Sequence, residues 1–200
     1  MDEVTAKEVL AEVSAEMIRS PIETERVLLR LFRETDFSDY YEYAAQKEQQ
    51  RLSGNTRVET EEQAREVFDW ILSPERSPLC FALEWKPTGK VIGNFSIGYY
   101  PFLAEDPTLA EKRGVSLSFI LNESYWRQGI MTEMLTAAFP FFFEKAGLDY
   151  VNAGYFSFNE GSRRLQEKVG MRPYLEHEIE REGEKLCVRE MILFREDYYR

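Results

Sequence analysis

A single α+β domain, with a mixed and mostly antiparallel sheet of about seven strands flanked by helices, is the architecture this sequence predicts. Three observations lead there. Hydrophobic residues make up 44% of the 200 residues and aromatic residues 14%, enough for one packed core. Segments with strand and helix patterns follow one another as strand, two helices, three strands, helix, strand, helix, two strands. No internal repeat, low-complexity tract or linker divides that series.

Residues 1–21 read as an N-terminal amphipathic arm or short amphipathic helix. Val4, Val9, Leu10, Val13, Met17 and Ile18 recur at helical spacing among glutamates, and Ser20-Pro21 ends the pattern. Residues 22–200 form the domain proper. Val27 to Phe32 is the first strand. Asp36 opens a helix over Phe37–Gln46 and Thr60 a second over Glu61–Leu72, each starting on a capping residue, with Gln49–Arg57 as the joining segment. Cys80–Trp85 and Lys90–Tyr99 flank the turn Lys86-Pro87-Thr88-Gly89 and make a hairpin. Tyr100–Arg113 has no periodicity and is a surface loop of the length that often serves function. Gly114–Leu121 is a strand, Gly129–Lys145 a long helix, Tyr150–Tyr155 a strand and Asn159–Lys168 a helix. Tyr174–Ile179 and Leu186–Phe194 close the chain as a hairpin around Glu182-Gly183-Glu184.

Charge and composition exclude several functions. Twenty-five Lys and Arg stand against 36 Asp and Glu, and the net charge of −11 repels nucleic-acid backbones and anionic lipid. No nucleic-acid or membrane partner is expected. Cys80 and Cys187 lie in separate apolar runs and His177 is the only histidine, so a disulfide framework and a metal site both lack material. The first twenty residues have neither a basic start nor a continuous apolar run. Met134–Phe143, the longest nearly uncharged stretch, is far too short to span a bilayer. The expectation is a cytoplasmic chain whose chemistry uses no metal.

The chemistry-bearing stretch begins at the strand Gly114–Leu121, runs through Asn122-Glu123-Ser124-Tyr125-Trp126, and enters a helix at Arg127-Gln128-Gly129-Ile130-Met131-Thr132. A helix start presents unpaired N–H groups and a positive dipole end, and a glycine there lets a pyrophosphate reach the amides. One such glycine is a weak signal. A second segment strengthens it: between Glu160 and Arg172 four basic residues face two acidic ones, in a chain that is acidic throughout. That segment also places Asn159, Ser162 and Lys168 along one helix just after a strand.

Tyr125-Trp126-Arg127-Gln128-Gly129-Ile130-Met131-Thr132-Glu133 resembles the acyl-CoA pyrophosphate loop of the GCN5-related N-acetyltransferases (GNAT), especially the ribosomal-protein N-terminal acetyltransferase (RimJ/RimL-like) branch. Asn159, Ser162 and the run Lys168-Val169-Gly170-Met171 resemble the second landmark of that family, and Thr24–Arg30 its first strand. The resemblance implies acetyl-CoA as co-substrate, with the amides of Arg127, Gln128, Gly129, Ile130, Met131 and Thr132 around its pyrophosphate. It implies that Phe119, Ile120 and Leu121 pair their backbone with the pantetheine arm, that Asn159 bonds that arm from the other side, and that Lys168 takes part in CoA binding. Ser162 matches a position that protonates the leaving thiolate, which makes it the candidate general acid.

Three departures stand out. Relatives usually carry a second Gly or Ala where Met131 stands, a larger residue that would crowd the phosphate. Gln166 occupies a position where many relatives have a catalytic Tyr. Ser116 lies on the central strand where a carboxylate base is common, which leaves Glu123, or Glu105, Asp106 and Glu111 of the long loop, or water, as candidate base. Pro140 removes a backbone hydrogen bond and should kink the helix a turn beyond Thr136. Phe139, Phe141, Phe142 and Phe143 read as core, His177 as an exposed or cross-strand residue, and Cys80 and Cys187 as buried small hydrophobes. Tyr99, Tyr100, Tyr155 and Phe156 fall at strand ends beside the cleft, as substrate contacts or core closure.

The reaction so implied is direct transfer of acetyl to a primary amine, either a protein N-terminus or a small cationic amine of the aminoglycoside-like kind. The alternative is a CoA-binding or sensing module of the same fold with little turnover. Either a monomer or a homodimer is compatible with the sequence.

Overall fold

A computed structural model describes residues 3–100, 103 and 106–199. Helix α1 (Glu3–Arg19) precedes strand β1 (Val27–Leu31), and α2 (Phe37–Ala44), α3 (Lys47–Leu52) and α4 (Glu61–Leu72) follow. Three strands come next: β2 (Cys80–Trp85), β3 (Lys90–Gly98) and β4 (Gly114–Leu121). Then come α5 (Ile130–Pro140), β5 (Tyr150–Phe156), α6 (Glu160–Lys168), β6 (Arg172–Arg181), β7 (Glu184–Phe194) and the short α7 (Arg195–Tyr198).

All seven strands form one sheet in the order β1-β2-β3-β4-β5-β7-β6. Every pair is antiparallel except β4 with β5. That parallel pair is brief: only Gly114, Val115 and Ser116 face Tyr150, Val151 and Asn152. Beyond them β4 stays with β3 as far as Leu121, while β5 stays with β7 as far as Phe156. The sheet therefore opens into a wedge whose edges are residues 117–121 and 153–156.

Alternation along the strands gives each face its own core. On one face Phe95, Ile97, Val115, Leu117 and Val151 pack under α1 and α5. On the other, Ala82, Val91 and Ile120 pack under α2 and α4. The segment that the sequence sets apart as an arm is helix α1, and its Ala6, Val9, Val13 and Met17 are part of the first core. Phe139, Phe142 and Phe143 are fully buried, as their spacing predicts. The effect of Pro140 is local. Helix α5 ends on it and widens into a π-turn over Phe141–Lys145, closed by Ala146 N–H to Phe141 O at 2.9 Å, so the chain absorbs the missing donor without breaking.

Two elements exceed the sequence-based expectation. α3 starts two residues before the segment read as a plain connector and runs into it, and in the final hairpin β6 is longer at both ends and β7 at its start.

Candidate active site

The entrance to α5 faces the mouth of the wedge. Arg127 has φ 60° and Gly129 φ 76°, so two left-handed residues in three wind the loop tightly onto the helix. The first helical bond runs from Glu133 N–H to Gly129 O at 2.9 Å. The four amides before it, from Gly129 to Thr132, are the ones a helix cannot satisfy itself. A Cβ built on Gly129 meets nothing closer than Arg26 Nη2 at 3.8 Å, so the approach is open. Met131 does not crowd it, because its side chain is buried in the core beneath the helix.

Arg26, at the edge of β1, braces the loop. Its Nη1 donates to Gln128 O at 3.0 Å and its Nε to Glu133 Oε2 at 2.6 Å. Burial works against ionisation of Glu133, but hydrogen bonds from Thr24 and Arg26 outweigh it and hold the carboxyl below its usual range. The acid in the first turn is thereby neutralised by Arg26 and does not oppose an incoming anion.

Along the wedge, Phe119, Ile120 and Leu121 pair with Phe95, Asn94 and Gly93 of β3 on one side only. Trp126 Nε1 donates to Leu121 O at 2.6 Å and fixes the connector. α6 packs beside α5. Its first turn is capped by Asn159, whose Oδ1 accepts from Ser162 N–H at 3.0 Å and whose Nδ2 donates to Leu52 O at 2.9 Å. Ser162 Oγ accepts from Gln166 Nε2 at 3.0 Å, which leaves the serine proton available to donate. Gln166 is fully buried. Lys168 is exposed in the last turn and makes no ion pair among the described residues; Glu167 pairs with Arg163 instead.

The acids named from the sequence are mostly engaged elsewhere. Glu123 Oε1 accepts from Gln49 N–H at 3.0 Å and its own amide donates to Gln46 Oε1 at 2.8 Å, so it ties the connector to α3. Asp106 accepts from the Tyr174 hydroxyl and from Thr108, and both lower its pKa. Glu111 is exposed, and Glu105 lies outside the described residues.

Sequence reasoning missed a cavity of about 250 Å³ on the α2–α4 face of the sheet, beside β4. Asn94, Ser96 and Ser118 form its floor; Tyr43, Trp70 and Arg76 lie on its walls. Among the described residues no Asp or Glu lines it. Arg76 Nε is buried there and meets no acceptor, while its guanidinium stands 5.0 Å from the Trp70 ring centroid. Arg181 of β6 holds the Gly54–Asn55 side of the lining from outside, with bonds to the carbonyls of Ser53 (2.6 Å) and Asn55 (2.8 Å). The cavity suits a small acceptor and is too small for a nucleotide.

A free strand edge that accepts an extended arm, aimed at a helix start that accepts a pyrophosphate, is the arrangement of a CoA-dependent acyltransferase. Comparison with known proteins agrees. A domain model described as Acetyltransferase (GNAT) domain matches residues 26–172, and the chain belongs to that family of acetyl-CoA-dependent N-acetyltransferases. It is 27% identical over 152 residues to the uncharacterized N-acetyltransferase YoaA of Bacillus subtilis strain 168, covering 74% of this chain and 81% of YoaA. Its fold matches that of ribosomal-protein-S5-alanine acetyltransferase from Vibrio fischeri with a TM-score of 0.65 at 18% identity, covering 89% of this chain and 98% of the other. Spermidine N-acetyltransferase from Vibrio cholerae, solved with CoA and spermine, matches with a TM-score of 0.67 at 13% identity, covering 88% and 100%. Among the described residues no group of side chains is arranged to hold a metal ion, and no helix is long and apolar enough to cross a membrane.

Proposed function

We propose that this chain acetylates the α-amine of a peptide or protein N-terminus, in the manner of the ribosomal-protein branch. The acetyl-CoA pyrophosphate sits on the amides of Arg127–Thr132 and its pantetheine arm lies along Phe119–Leu121, with Asn159 on the far side. Ser162, which accepts a hydrogen bond from Gln166 and keeps its own proton, protonates the leaving thiolate. Lys168 is assigned to the outer, nucleotide end of the ligand. Two free cysteines are in keeping with a reducing, cytoplasmic setting.

The cavity carries the choice of acceptor. A polyamine site needs carboxylates to hold several positive charges, and this lining has none. Arg76, with a buried unpaired Nε, repels a polycation and offers a donor to a carbonyl or carboxylate oxygen. A peptide N-terminus supplies an amine with a carbonyl two bonds away. The test is thiol release from acetyl-CoA with peptides beginning in Ala, Ser or Thr, set against spermidine. Peptides should be preferred at least tenfold in kcat/KM, and Arg76→Met should raise the peptide KM about tenfold, the ~1.4 kcal/mol of one charge-assisted hydrogen bond, without changing CoA affinity. Preference for spermidine, or an unaltered peptide KM in Arg76→Met, would remove the assignment.

A further inference from the structure

Polar side chains form a line across four strands on the face that carries the cavity. Ser116 Oγ on β4 donates to Asn152 Oδ1 on β5 at 2.8 Å. Asn152 Nδ2 donates to Glu190 Oε2 on β7 at 3.0 Å, and Glu190 Oε1 meets His177 Nε2 on β6 at 3.2 Å. Ser116, Asn152 and Glu190 are buried, whereas the His177 side chain is 27% exposed. The line thus runs from the last β4–β5 pair, where the wedge begins, to the protein surface.

Packing alone gives no reason for Glu190. It is 3% exposed in a strand that continues as Met191, Ile192, Leu193 and Phe194, and a carboxylate there loses hydration that two hydrogen bonds do not fully replace. Its position explains it better. Glu190 pairs with Gly154, which is exposed on the β5 edge of the wedge, and a Cβ at residue 154 would lie 2.5 Å from Glu190 Oε1. The carboxylate therefore lies over bare glycine backbone at the place where a thioester in the wedge would meet an acceptor. Tyr100 lies within electrostatic reach of it. That residue keeps 41% exposure, yet desolvation of its hydroxyl end and the Glu190 carboxylate raise its pKa, against the pull of Arg76, so both charges act on one hydroxyl.

We propose that Glu190 is the general base of the transfer and that His177 carries the proton from it to solvent, with Asn152 and Ser116 fixing the carboxylate. The carboxylate that relatives place on the central strand is here delivered from β7 through Asn152. The assignment rests on the acyl-transfer reading above. The amine enters as an ammonium ion, and Glu190 takes one proton. The free amine attacks the thioester carbonyl, the C–N bond forms and the C–S bond breaks. A second proton passes from nitrogen to the thiolate by way of Ser162, while the first leaves Glu190 through His177 Nε2 to water. One proton is released for each acetyl group moved. Glu123 remains the brace of α3.

Acetyl-CoA and the peptide panel serve as probes. Glu190→Gln keeps the bond from Asn152, so CoA affinity, melting temperature and peptide KM should stay close to those of the unaltered chain while kcat falls about 10²–10³-fold. Glu190→Ala should regain at least tenfold of its lost rate on adding formate, which a packing role would not allow. His177→Gln should lower kcat about tenfold with KM unchanged, and imidazole should restore it. His177 is the sole histidine, so its ring nitrogen signals in NMR report the contact directly and should move in Glu190→Gln. A kcat within threefold of normal in Glu190→Gln, or an unmoved imidazole spectrum, would overturn the assignment. Absence of thiol release by the unaltered chain would overturn the acyl-transfer reading itself, and this proposal with it.

Discussion

Single residues divide the site between the two faces of the sheet. Ser162 comes from the α5–α6 side, where Gln166 holds its oxygen and leaves its proton free. Glu190 comes from the opposite side, where Asn152 and His177 hold both carboxylate oxygens. In the proposed mechanism an acid and a base so separated would not compete for one proton. Ser162→Ala should therefore lower kcat about 10–100-fold and leave CoA affinity within twofold, measured by thiol release and calorimetry. Equal loss of both would return Ser162 to a structural role as the acceptor that holds Gln166. Gly129, Asn159 and Ser162 are the residues the sequence singles out, by their place at helix starts after strands and by resemblance to the family's two landmarks. Glu190 was not read, although one signal was present: an acid that directly precedes the apolar run Met191–Phe194 in the last strand. Its partners lie 13 and 38 positions away, on separate strands, and only the fold brings them together.

At the level of elements, local pattern and tertiary support account for what the sequence did and did not reveal. β2 and β4 match their predicted bounds because they are short runs of buried residues between clear stops. α3 escaped because Lys47–Leu52 has no apolar face of its own and is held by Gln46, Gln49 and Glu123. β6 escaped at its ends because Arg172-Pro173 and Glu180-Arg181 carry no apolar alternation, on an edge strand with no fully buried residue. For α1 the sequence leaves a short helix or an arm open. Its amphipathic pattern fits a loose arm as well as a docked helix, and burial of Val9, Val13 and Met17 on the sheet decides the matter. Val13→Ala should cost about 2 kcal/mol and lower the melting temperature by about 4–8 °C. Val4→Ala, on the exposed side of the same helix at 69% exposure, should change it by less than about 1 °C. Equal small shifts in the two variants would mean that α1 is not docked in solution.

For the molecule as a whole, the sheet supplies the logic. Three residue pairs hold β4 to β5, and the rest of each strand belongs to its other neighbour, so one domain contains a built-in strand vacancy with a helix start at its mouth. An antiparallel sheet with that one parallel joint accepts a ligand arm as an extra strand without domain movement. The overall charge of −11 does not oppose this, because the mouth itself carries Arg26 paired with Glu133 and the basic stretch of α6. Calorimetric titration of acetyl-CoA into the intact chain and into Gly129→Leu tests this arrangement most directly. The account predicts one site per chain with a Kd on the order of micromolar, weakened at least a hundredfold in Gly129→Leu, whose left-handed φ costs about 1–2 kcal/mol in stability and leaves the fold in place. Binding of equal strength in both chains, or no binding to either, would contradict it.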